Sequence, residues 1–144
     1  MNALRSRLGR AIRRIERSRA LDAPVAAVDP IVSRLTQDDR VKRVLSGAPA
    51  GHRLHPALTD VPIGLWTGAT LVDLLGGSGA RAASRRLVGL GALAALPTAA
   101  TGVSDWQDAD TPSRRVGVVH AAANAVALLL QGASWSARRT GHHI

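Results

Sequence analysis

Apolar residues follow two different rhythms along this chain. In the first twenty positions Leu4, Leu8, Ile12 and Ile15 recur every three or four residues. Arg5, Arg7, Arg10, Arg13, Arg14, Arg17 and Arg19 fill most of the remaining positions. That spacing predicts a basic amphipathic helix, suited either to an anionic lipid surface or to packing on the rest of the protein. Ala23-Pro24 is expected to end it. Asp29-Pro30 reads as an N-cap followed by proline at the first helical position, opening a second helix that Gly47 stops. Ile31, Leu35, Val41 and Leu45 give this second helix a looser apolar stripe.

Beyond residue 53 the rhythm gives way to uncharged runs. Residues 61–72, 87–104 and 116–137 contain no Asp, Glu, Lys or Arg. The last two would form helices of about 27 and 33 Å, against a hydrocarbon core of about 30 Å. In the first segment Asp60 and Asp73 would lie about 20 Å apart along a helix, so each can sit near an opposite interface. The chain therefore reads as all-α: a polytopic membrane bundle of three spans, near 56–77, 86–104 and 116–137. A basic arm of two amphipathic helices (1–46) precedes the membrane domain (47–139), and a short tail (140–144) follows. A soluble bundle is the competing reading, because Ala and Gly are weakly hydrophobic and mean hydropathy is only +0.05. Gly64 and Gly68 on the first span, and Gly89, Gly91, Ala92 and Ala95 on the second, suit close helix contact. Pro97 is expected to kink the second span, and Asp73 to pair with Arg81, Arg85 or Arg86.

Charge sharpens this division. Residues 1–53 carry twelve basic and five acidic side chains, a net of +7, whereas residues 54–144 reach only +2. The basic arm would place the N-terminus in the cytoplasm by the positive-inside rule. Nucleic acid is not the expected partner. Single strands are held largely by stacking on aromatics, and the arm has none; Phe and Tyr are absent from the whole chain. With no Cys, the chain alone can form neither a disulfide nor a cysteine-ligated cluster. The arginine-rich start lacks the apolar core of a signal peptide. No nucleophile–base triad, phosphate loop or zinc-hydrolase motif is present, so an enzyme is not the favoured reading.

Candidate chemistry follows from parity. Consecutive spans run antiparallel, so the start of the first, the end of the second and the start of the third share one membrane side. This gathers His52, His55 and Asp60 with Asp105, Trp106 and His120. Two imidazoles from different helices can ligate haem iron or a divalent metal, with Asp60 and Asp105 as orienting groups. They could equally relay protons, or form a hydrogen-bonded tie between helices with no cofactor. Asn124 shares the face of His120 and is expected to hydrogen-bond across the bundle. His142 and His143 read as tail.

The segment Gly51-His52-Arg53-Leu54-His55-Pro56-Ala57-Leu58-Thr59-Asp60-Val61-Pro62-Ile63-Gly64-Leu65-Trp66, with Asp73-Leu74-Leu75-Gly76, resembles the first-span signature of a bacterial membrane domain, domain of unknown function 2231. Ala94 to Trp106 resembles the end of its second span, and Arg114 to Ala121 the start of its third. The resemblance implies a four-span domain, in some members joined to Rieske-type iron–sulfur domains. It therefore implies the bacterial cytoplasmic membrane, a redox setting and a redox protein as partner. The chain stops at Ile144, where the fourth span would begin, which leaves a naturally short chain, a fragment, or a partner helix or oligomer in place of that span as the readings.

Overall fold

The computed structural model describes residues 2–140, all of them in helices, turns and short connections. His142 and His143 lie outside the described residues. Six α-helices follow in order: α1 (Asn2–Glu16), α2 (Asp22–Leu35), α3 (Asp39–Ser46), α4 (Leu54–Leu75), α5 (Arg81–Gln107) and α6 (Thr111–Arg139). The last three are the long ones. Helix α5 lies between α4 and α6, and the short N-terminal helices pack against α5 and α6.

The arm contains three helices, where the apolar rhythm predicted two. Asp29 and Pro30 lie inside α2 and do not begin it. Asp29 is instead drawn to Arg114, 3.1 Å away. The working cap is Asp38, whose Oδ1 accepts from the backbone N–H of Arg40 at 2.7 Å and of Val41 at 3.3 Å. Val25 and Val32 are buried, so docking of α2 outweighs the local start signal at Asp29. Gly47 ends α3 as expected, with φ of 84° in the left-handed region that glycine enters without steric cost.

The interior face of α5 is made of small and hydroxyl-bearing residues: Ser84, Val88, Gly91, Thr98, Thr101 and Ser104. Steps of three, four and seven keep them on one side of the helix. Several hydroxyls donate to carbonyls of the packed helices. Ser84 Oγ reaches Ala69 O of α4 at 3.3 Å, and Thr98 Oγ1 reaches Leu58 O of α4 at 3.2 Å while also lying 2.9 Å from Ala94 O of α5 itself. Most of these polar groups thus line an apolar helix and still find acceptors, as a low-dielectric setting favours, with Ser104 Oγ the exception.

Tryptophans seat on glycines. Trp66 of α4 packs on Gly91, Trp135 of α6 on Gly89, and Trp106 of α5 on Gly117. Trp66 Nε1 donates to Val88 O at 3.3 Å and Trp106 Nε1 to Arg114 O at 2.9 Å. Gly64 meets no neighbour within 4 Å and Gly68 only Leu87. The close contacts are therefore indole on glycine at Gly89 and Gly91.

Helices α5 and α6 are each long and apolar enough to cross a membrane. Helix α4, at 22 residues, is long enough but carries Asp60 and Asp73 and is not among the helices that meet both requirements. Two of the three expected spans thus meet both requirements. The outward faces are aliphatic: Leu90, Leu93 and Leu96 on α5, and Val126, Leu129 and Leu130 on α6, are all more than half exposed. No residue of α6 is buried.

Candidate functional site

The starts of α4 and α6 and the end of α5 meet at one end of the bundle, which we call the near end. Ion pairs surround it. Arg53, the residue before α4, lies 2.9 Å from Asp105 at the end of α5. Lys42 of α3 lies 2.7 Å from Asp108. Arg115 of α6 holds Asp22 at 2.7 Å and donates to Glu16 O at 2.7 Å. Arg114 donates to Asp29, Gln107 O and Ala109 O, and its guanidinium sits 5.1 Å from the Trp106 ring centre. The hydrogen bond from Arg115 holds the Asp22 carboxyl below its ordinary 3.8, against a smaller opposing effect of desolvation. Asp110 caps α6; its bond with Ser113 likewise lowers its pKa.

Inside this ring of charges lie the two histidines. Helix α4 begins at Leu54, so Pro56 is its third residue, where a missing N–H costs no helical hydrogen bond. His55 is therefore already helical and points at α5. Its ring lies against Gly102, where an added Cβ would fall 2.7 Å from Cε1. Its Nδ1 is 2.9 Å from the carbonyl of Thr98. A carbonyl only accepts, so Nδ1 carries the hydrogen and the neutral ring leaves Nε2 with a bare lone pair. His120 of α6 is exposed at the same end. The two ring centres are 6.3 Å apart, with planes at 90°. Asn124 Nδ2 lies 2.8 Å from His120 Nε2 and 3.0 Å from His120 O. One amide nitrogen serving both acceptors makes Nε2 of His120 an acceptor too.

The other residues named from the sequence fall at varied distances from this pair. His52 lies in the loop before α4, with Nδ1 3.1 Å from Arg53 O. Asp60 is an exposed residue of α4, one turn past His55. Asp105 is engaged by Arg53. The bonds on the two rings come instead from Thr98 and Asn124, and Asn124 bonds within α6 where the sequence suggested a bond across the bundle. Thr98 and Gly102 were not legible as site residues. Their one signal is their spacing of four on α5, a small surface on which a ring from α4 can rest. Ser104 Oγ and Gln107 Oε1, both on α5 at this end, are buried without a hydrogen-bond partner.

The opposite, far end holds a different junction. Arg138 of α6 grips both carboxylate oxygens of Asp73 on α4, at 2.8 and 2.7 Å, and donates to Ser84 Oγ of α5 at 2.9 Å. The expected partner of Asp73 was an arginine of the α4–α5 connection. Arg138 meets Asp73 in bidentate geometry, the strong form of an arginine–carboxylate pair.

Comparison with known proteins bears on the membrane reading. No curated protein and no solved structure matches the chain. The model of the family described as "Predicted membrane protein (DUF2231)" matches residues 51–143, which include α4, α5, α6 and both histidines. With two helices apolar and long enough to span a bilayer and a family match over most of its length, the chain belongs to the DUF2231 family of predicted membrane proteins.

Proposed function

We propose that this protein is a non-enzymatic membrane module that binds haem between His55 and His120. On this reading the near end and the arm face the cytoplasm in a bacterial cytoplasmic membrane, α4 crosses beside α5 and α6, and a redox protein is the partner. The observation that carries the reading is the spacing of the two rings, 6.3 Å between centres. With metal–imidazole bonds of about 2.0–2.1 Å, two rings that held one metal would have centres up to roughly 6 Å apart. The donor count favours haem over a bare divalent metal. No cluster of three or more His, Cys, Asp or Glu is found among the described residues, whereas zinc sites take three or four protein ligands. Haem needs only two axial donors and, when bound, supplies one-electron chemistry. The Thr98 carbonyl fixes the His55 tautomer and leaves Nε2 as the ring's acceptor, as backbone acceptors do for metal-bound histidines. Asn124 would have to release Nε2 of His120.

That last contact favours a second reading, in which the pair only ties α4 to α6. Both rings already have hydrogen-bond partners, and His55 packs on Gly102. An absorption spectrum with elemental analysis on the detergent-purified full chain separates the two. The haem reading expects a Soret band and about one iron per chain, lost in His55→Ala and in His120→Ala but kept in His142→Ala. Bound zinc, copper or nickel without a Soret band would replace haem with a metal. No chromophore and no metal, even after expression with added haem, would leave the tie.

A further inference from the structure

Helix α1 carries a surface that the bundle leaves uncovered. Leu8 is 61% exposed and Ile12 38% exposed although the helix is docked. On the opposite face Arg10, Arg13, Arg14 and Arg17 fall at helical spacing and, with Ser18, line an open depression of about 600 Å³. None of these four arginines forms an ion pair among the described residues. The carboxylates at the start and middle of α2 are engaged elsewhere, Asp22 by Arg115 and Asp29 by Arg114, which leaves Glu16 as the one acidic side chain on α1. Four arginines against one carboxylate leave this face with an excess of positive charge that suits an anionic partner.

The place of α1 relative to a candidate span is also set. Arg115, in the second turn of the apolar helix α6, grips Asp22 and the Glu16 carbonyl at the end of α1. The arm is thus fixed near the end of a candidate span, at headgroup level. A helix with an aliphatic stripe on one side and arginines on the other lies in the interface plane there. We propose that α1 is an interfacial foot that seats on anionic phospholipid, with Leu8 and Ile12 in the acyl boundary and the arginine face drawn to the phosphodiester headgroups. This proposal does not depend on the histidine pair.

The natural chain has no cysteine, so a nitroxide label can be placed singly at Leu8→Cys or Arg10→Cys in the full-length protein. Each labelled protein is reconstituted in nanodiscs of phosphatidylcholine alone or with phosphatidylglycerol. Collision with oxygen reports acyl chains, and collision with a water-soluble nickel complex reports water. In the anionic discs the position 8 label should be oxygen-accessible and nickel-protected, and the position 10 label the reverse. The oxygen-to-nickel ratio at position 8 should fall severalfold in phosphatidylcholine discs. It should also fall when Arg13, Arg14 and Arg17 are changed together to Gln. A position 8 label open to nickel in anionic discs would overturn the proposal. So would one shielded from both reagents, as a protein or nucleic-acid partner on α1 would make it, or one indifferent to lipid charge.

Discussion

The two ends of the bundle join the same pair of helices by different chemistry. At the far end Arg138 and Asp73 meet in a bidentate ion pair, and Ser84 completes the contact from α5. Every strong donor and acceptor in that junction has a partner. At the near end α4 and α6 meet through two imidazoles in edge contact, with no charge pairing between them. There one ring nitrogen, Nε2 of His55, is left bare by the bond to Thr98, and two buried polar atoms of α5 have no partner. A junction that only held helices together would be expected to resemble the far end. On the proposed reading, the difference separates ligand binding at the near end from mechanical closure at the far end.

The largest effect is therefore expected from breaking the far junction. Arg138→Ala leaves Asp73 and the fully buried Ser84 hydroxyl without their partner. We expect a loss of about 2 kcal/mol, the scale for removing one member of a partly desolvated, hydrogen-bonded pair. Thermal or denaturant unfolding in detergent measures it. Haem or metal content of the folded fraction should be unchanged, and a parallel loss of both would erase the distinction between the ends.

A smaller effect is expected at Gly102. Its Cβ would press on the His55 ring, so Gly102→Ala should cost about 1–2 kcal/mol of stability as overpacking and pull the imidazole away from Thr98 O. Gly64→Ala, where nothing lies within 4 Å, should cost little. Equal effects of the two substitutions would mean that the His55 seat is not tight.

The smallest effect concerns the ring of charges. Arg115 lowers the pKa of Asp22 relative to the unfolded chain. Its contribution to arm docking is therefore complete above the ordinary carboxylate value and fades as pH falls through the lowered one. Because Asp22 is exposed, the change should be modest. Amide hydrogen exchange in α1 and α2 should quicken only below about pH 4, and Asp22→Asn should remove the dependence.

The sequence made the near end legible because parity needs only the order of the long helices. An error of several residues in each boundary still leaves His55 and His120 on one side, and α4, α5 and α6 do begin and end within a few residues of the expected limits. What parity cannot supply is the partner of each side chain. Asp105 reads as a histidine partner until Arg53 is placed beside it, and Asp73 belongs to an arginine sixty-five residues away. Local signals failed where docking outweighed them, as at Asp29, which pairs with Arg114 while α2 runs through Pro30. Gly89 and Gly91 read as contact points, but as sites of backbone approach; that indoles fill them, and that Gly117 and Gly102 take an indole and an imidazole, depends on side-chain volumes across helices.

The most direct test of the contrast between the ends is a haem titration followed by electron paramagnetic resonance on the full chain in detergent. The account predicts one haem per chain with a low-spin ferric signal from two imidazole ligands, abolished by His55→Ala or His120→Ala and retained in Arg138→Ala. A wild-type protein that binds no haem, or whose signal survives loss of either histidine, would contradict it.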